Sequence, residues 1–190
     1  MTAKPDQTNQ PKKSFWYLSS IQIGLAAAFG AAALAIVLGG LMFPLGPGGL
    51  VVDPRMPFAF VGAALTGPIG AIIVGFLAGV GRIPVFNIPF HVIGEVVFFG
   101  IGYKYVYKWT KGDLKKIILG FNLLTLPYYF LWETIYWPVV VANFMTKNPS
   151  MVIPLYFSYL PGMMVEMVAA MVIQSVILTV LPAKYRRPQW

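Results

Sequence analysis

Five long apolar blocks, separated by short polar or glycine- and proline-rich breaks, organise the chain and predict helices. The first, about 20–43, is rich in glycine and alanine, including Gly24, Ala28, Gly30 and Ala32. Small residues at this density let a second helix approach closely. Pro44-Leu-Gly-Pro-Gly-Gly-Leu50 cannot continue that helix, because its prolines lack donors and its glycines are permissive. A second block, 56–82, is broken near its middle by Thr66-Gly67-Pro68. Three more follow at about 89–109, 114–142 and 152–181. Blocks of twenty or more apolar residues match the thickness of a bilayer's hydrocarbon core.

The broken second block decides the topology. Lys104, Lys108, Lys111, Lys115 and Lys116 cluster between the third and fourth blocks. If 56–82 crosses once, this cluster falls on the side opposite the basic amino terminus, against the positive-inside rule. If it goes in and returns, eleven of the fourteen Lys and Arg residues share one side, and only Arg55, Arg82 and Lys147 lie on the other. The expectation is therefore an all-α integral membrane protein with six transmembrane segments, the second and third forming a short hairpin. Its cytoplasmic tails are 1–19 and 182–190, flanking a membrane domain at 20–181, and both termini of this multi-pass cell-membrane protein face the cytoplasm. Residues 57–66 rise only about 15 Å, half the core thickness. So short a limb must be buried among other helices or line a polar cavity.

Composition sharpens the class. Only 11% of the 190 residues are charged and 58% are hydrophobic, where a soluble domain carries about a quarter charged residues. The formal charge of +8 sits between and beyond apolar blocks, as membrane anchors do, and no soluble segment is long enough to read nucleic acid. The first block is longer than a signal-peptide core and lacks a clean cleavage site. Without cysteines there are no disulfides or thiolate chemistry, and a single histidine, His91, weakens any metal site. No cofactor is expected.

Ionisable residues inside a membrane are functional candidates by default. Here they are Glu95, Glu133 and Glu166, with Asp53, Arg55, Arg82 and His91 near the outer surface. In Pro127-Tyr-Tyr-Phe-Leu-Trp-Glu-Thr-Ile-Tyr-Trp-Pro138, helical spacing stacks Tyr128, Trp132 and Tyr136 on one strip and Tyr129, Glu133 and Trp137 on the next. A carboxylate beside aromatic faces suits a flat or cationic ligand. The same residues also suit an interfacial aromatic belt with Glu133 paired to Arg55 or Arg82. His91 and Glu95, four apart, share a helical face and can bind each other or a ligand. Asn143 is a further polar candidate, and Asp53 with Arg55 is either a local ion pair or part of the site. No catalytic motif or P-loop occurs, so no enzyme is expected and ATP would have to be used by another subunit.

The first block, Pro44-Leu-Gly-Pro-Gly-Gly49, Gly67-Pro68-Ile-Gly70-Ala-Ile-Ile-Val-Gly75 and Leu160-Pro161-Gly162-Met-Met-Val-Glu-Met-Val-Ala-Ala170 together resemble the substrate-binding S-components of energy-coupling factor vitamin transporters. The resemblance spans most of the chain. It implies capture of a vitamin-like molecule from outside, in concert with a transmembrane coupling subunit and two cytoplasmic ATPases. The family's helix-one A-x-x-x-A partner motif is matched by Ala28 and Ala32, and also by Ala27 and Ala31. No histidine near the amino terminus matches the nickel and cobalt members. Trp132, Glu133 and Tyr136 are similar to residue types used by thiamine-type members, which puts thiamine or a pyrimidine precursor first. Asp53-Pro-Arg55, Gly62, Gly67-Pro68, Gly75, Gly79 and Arg82 also look like the membrane sensor module of autolysis-type histidine kinases. A structural subunit of a membrane complex is the third expectation.

Overall fold

The computed structural model describes residues 18–44, 51–80 and 84–188. The predicted amino-terminal tail with Lys4, Lys12, Lys13 and the Phe15-Trp16-Tyr17 cluster, the loop 45–50 and Arg82 lie outside the described residues.

Helix α1 (Ser20–Leu38) opens on a capping box. The Ser19 hydroxyl accepts from the Gln22 backbone, and the Gln22 side chain accepts from the Ser19 backbone, which satisfies two of the free donors at the helix start. A two-residue antiparallel ladder then pairs β1 (Phe43–Pro44) with β2 (Val51–Val52). It delivers the chain to α2 (Arg55–Gly79), the most buried of the long apolar helices among the described residues.

Within α2 only Gly67 departs from helical geometry, with φ 75° and ψ −174°. That region is open to glycine and strained for other residues. Pro68 follows and brings no backbone donor. The Thr66 carbonyl accepts from Gln22 Nε2 of α1 at 3.3 Å, so the break leaves a buried carbonyl that a polar residue of α1 satisfies. The limbs on either side of Gly67 lie alongside one another. Arg55 Nη1 donates to the Ala78 carbonyl at 2.8 Å, and a Cβ on Gly62 would sit 3.3 Å from the Val74 side chain.

The chain continues through α3 (Pro84–Gly94), a π-helical turn at Glu95–Ile101 and α4 (Gly102–Thr110). A tight turn with Lys111 and Gly112 at positive φ leads to α5 (Leu114–Pro127), capped by Asp113. A π segment at Tyr128–Glu133, α6 (Thr134–Val140) and another π segment at Val141–Met145 extend it. Pro127 and Pro138 lie in this run, where each removes a backbone donor and disturbs regular α geometry. Helix α7 (Val152–Val180) and the short α8 (Ala183–Arg186) complete the chain. The Tyr103 hydroxyl donates to the Arg186 carbonyl at 2.8 Å, which ties α8 to α4.

Four described helices are long and apolar enough to cross a membrane: Ser20–Leu38, Arg55–Gly79, Val85–Thr110 and Pro149–Val180. This corrects the predicted six-segment bundle with its separate second and third spans. Residues 55–79 are one helical run broken at Gly67, and a limb such as 55–66 measures only about 18 Å, too short to span. The run 114–145, predicted as a span, carries Asn122, Thr125, Glu133, Thr134 and Asn143 among its apolar residues. It is not among the four. The protein is thus an all-α, multi-pass membrane bundle, and its membrane class stands as expected.

Candidate functional site

A buried polar chamber forms where α2 begins, where α3 passes into its π turn, and where the π segment at Tyr128–Glu133 meets α7. Arg55 Nε and the Asp53 carboxylate form an ion pair, and Asp53 Oδ1 also accepts from the Arg55 backbone at 3.0 Å. His91 Nδ1 and Glu95 Oε1 are 2.8 Å apart, with both side chains fully buried. Gly75 makes room for this pair, since a Cβ there would come within 2.6 Å of Glu95 Oε2.

Glu133 and Glu166 are also buried. Each lies within the electrostatic reach of Asp53 and Arg55, and Glu166 within that of Glu133. The Asp53 backbone also lies beside the Glu166 carboxyl. Among the described residues neither glutamate has an ion-pair partner. Four carboxylates of the described residues therefore meet one guanidinium and one imidazole. Among the described residues the chamber also holds most of the unpartnered buried polar atoms: His91 Nε2, Glu95 Oε2, Glu133 Oε2 and the hydroxyls of Tyr128 and Tyr129. Buried polar groups are normally paired, so such a concentration of them singles the chamber out as the candidate site.

Local helix geometry creates the cluster. Glu95 opens one π turn and Glu133 closes another, and π turns concentrate at functional sites because the extra residue re-aims the side chains around it. The Thr134 hydroxyl donates to the Tyr129 carbonyl, five residues back, as fits the wider turn. Aromatic rings wall the chamber. Phe60 stacks on Phe99 with centroids 4.1 Å apart and meets Tyr128 edge-on at 4.6 Å.

The predicted site residues divide into two groups. Asp53, Arg55, His91, Glu95, Tyr129 and Glu133 converge on the chamber. Trp132 and Tyr136 instead fasten the neighbouring helix: Trp132 Nε1 donates to the Phe90 carbonyl at 3.0 Å, and the Tyr136 hydroxyl to that of Phe86 at 2.8 Å. Asn143 is exposed and donates to the Val139 carbonyl at 2.8 Å, away from the chamber. On α1, Ala28 is exposed and Ala32 half-buried, while Gln22, Ala26, Gly30 and Ala33 face inward.

Sequence reasoning named Glu166 as an intramembrane carboxylate yet left it outside the binding set, and it missed Gln174. Gln174 Nε2 donates to Asn122 Oδ1 at 2.6 Å and to Thr125 Oγ1 at 2.8 Å. The available signal was spacing: Glu166, Ala170 and Gln174 recur every four residues on one face of α7, and all three are buried. No described group of three or more His, Asp or Glu residues is arranged to hold a metal ion.

No family model matches the chain, and no curated protein matches it. The predicted role as a vitamin-capturing subunit of an ATP-driven importer, with its sensor-module and structural-subunit alternatives, is corrected accordingly. The motifs behind it are short runs of Gly, Pro and Ala that helix packing alone accounts for, such as Gly30 against Leu77 and Gly62 against Phe29. The coupling subunit and ATPases were implied by the same resemblance.

Proposed function

We propose that this protein binds and passes protons inside a membrane, with Glu133 and Glu166 as the acid pair that takes them up. The observation that carries the reading is the charge inventory of the chamber. Asp53 has Arg55 and Glu95 has His91, whereas Glu133 and Glu166 have no cation of their own among the described residues, and Glu166 lies within the electrostatic reach of Glu133 and of the already paired Asp53. Neighbouring carboxylates removed from water do not both remain ionised without a counter-charge. A shared proton supplies it. Intramembrane Asp, Glu and His clusters serve as proton relays for this reason. The unpartnered hydroxyls of Tyr128 and Tyr129 offer hydrogen-bonding stations beside the pair.

The chamber lies in the half of the bundle remote from the lysine-rich α4–α5 turn and from α8. We read that basic end as cytoplasmic by the positive-inside rule, which places the acid pair in the outer half. In this reading the protein is a carrier and not a catalyst.

Infrared spectroscopy of the protein in lipid nanodiscs tests the proposal. A carbonyl band from protonated carboxylic acid is expected at neutral pH, and it should be lost in the Glu133→Gln/Glu166→Gln double variant. Proteoliposomes under a proton gradient should collapse it faster than empty liposomes, and Glu133→Gln should abolish the difference. Only ionised carboxylate bands at neutral pH, or flux equal to that of empty liposomes, would overturn the reading.

A further inference from the structure

The end of the bundle away from the chamber carries a patch of unpaired positive charge. Five lysines surround the α4–α5 turn, and three further cations, Lys184, Arg186 and Arg187, lie in or beside α8. Among the described residues none of the eight is in an ion pair, and the one carboxylate at the turn, Asp113, is engaged in capping α5. Within the chain itself this arrangement is unfavourable. Lys104 and Lys108 are like charges four apart on α4, and Lys115 and Lys116 occupy the first turn of α5, where the helix dipole disfavours cations. The Tyr103 hydroxyl brings α8 against α4 through the Arg186 carbonyl, and Arg186 Nη1 donates to the Leu178 carbonyl at 3.2 Å. Lys184 and Arg187 stay exposed.

We infer that this end of the protein binds the headgroup of an anionic phospholipid, and holds one with two phosphates more tightly than one with a single phosphate. The inference goes beyond the proton-binding reading and does not depend on it. Two observations select a lipid over a soluble anion. Val97, Ile101, Tyr105 and Trp109 recur every four residues along the span Val85–Thr110 and are all exposed, so acyl chains have apolar side chains to lie against next to the lysines. Tyr105 and Trp109 are residue types that settle at headgroup level, and each directly follows a lysine, Lys104 or Lys108. Basic side chains at that level attract anionic lipid. The preference for two phosphates follows from supply on two elements. The α4–α5 turn offers one set of cations and α8 another, and the Tyr103–Arg186 hydrogen bond holds the two together.

Native mass spectrometry of the full chain released from detergent micelles, titrated with defined lipids, tests this. Cardiolipin supplies two phosphates, phosphatidylglycerol one, and phosphatidylcholine no net charge. Cardiolipin should bind at least about fivefold more tightly than phosphatidylglycerol, the scale of one further cation engaged, and phosphatidylcholine most weakly. Raising the salt should weaken cardiolipin binding to the unaltered protein. Lys104→Gln/Lys108→Gln should weaken it by at least about tenfold, and Lys184→Gln/Arg187→Gln should erase the preference for cardiolipin over phosphatidylglycerol. All four side chains are exposed, so neither change should move the melting temperature. Lys147→Gln, an exposed cation near the opposite end of the run 114–145, should leave binding unchanged. Cardiolipin held no more tightly than phosphatidylglycerol or phosphatidylcholine would overturn the inference, as would equal losses in Lys147→Gln and Lys104→Gln/Lys108→Gln. Displacement of cardiolipin by an equal concentration of pyrophosphate would also overturn it, because the site would then serve a soluble anion.

Discussion

Among the described residues Arg55 is the one fully cationic side chain in the chamber, and its removal should be felt beyond its own contacts. It pairs with Asp53, donates to the Ala78 carbonyl, and offsets charge on Glu95, Glu133 and Glu166 at longer range. Taking away one member of a buried pair leaves the other unpaired and typically costs about 3–5 kcal/mol, whereas replacing both is far milder. Arg55→Met should therefore destabilise the protein by about that amount in unfolding from mixed micelles. Adding Asp53→Asn should recover at least about 1 kcal/mol, because the stranded carboxylate goes with it. A double variant less stable than Arg55→Met would contradict this. At this scale the sequence was readable where chemistry is local: the Asp53–Arg55 and His91–Glu95 pairs follow from spacing of two and four residues. Glu166 was not placed, because its partners lie more than thirty positions away in Glu133 and farther in Asp53. Only packing reveals that convergence.

Elements pack here through glycine. A Cβ on Gly75 would lie 2.8 Å from Val92 Cα and 2.9 Å from its backbone nitrogen, besides the close approach to Glu95. Backbone cannot swing aside as a flexible side chain can, so α2 and α3 would have to separate. Gly75→Ala should cost about 1–3 kcal/mol, the usual range for overpacking. Gly24→Ala on α1, where nothing lies within 4 Å, should be neutral or stabilising by up to about 1 kcal/mol, since alanine is the better helix residue. Equal melting temperatures for the two variants in the same detergent would refute the comparison. Apolar block lengths located the helices well. The π turns at Glu95 and Glu133 were invisible, because a one-residue insertion leaves no mark on hydrophobic periodicity. The count of six went wrong for a physical reason. Charge parity reports only which side a segment returns to, so it turns the broken element 55–79 into two spans although neither limb has the length of one.

For the whole molecule, the decisive asymmetry is between a basic end and an acidic interior. Lys104, Lys108, Lys111, Lys115 and Lys116 surround the α4–α5 turn, and Tyr103 holds α8, with Lys184 and Arg186, at that same end. The chamber lies toward the other end, because α3 reaches His91 and Glu95 well before α4 reaches the lysines. Composition made membrane residence legible from the outset, and the basic clusters suggested sidedness. The identity of the interior site was not legible, since it depends on which carboxylates lack a cation. Sidedness is directly measurable because the chain has no cysteine, so a single introduced thiol reports alone. Lys116 and Ser150 are both exposed and lie just inside and just beyond the two ends of the run 114–145, which spans about 48 Å if regular. With the basic end cytoplasmic, and the run 114–145 carrying the chain back to the opposite side for α7 although it is not among the four long apolar helices, Ser150→Cys should react with a membrane-impermeant maleimide on intact cells. Lys116→Cys should react only after permeabilisation. The reverse pattern would put the acid pair in the inner half, and labelling of both sites on intact cells would mean that this run does not separate two compartments at all.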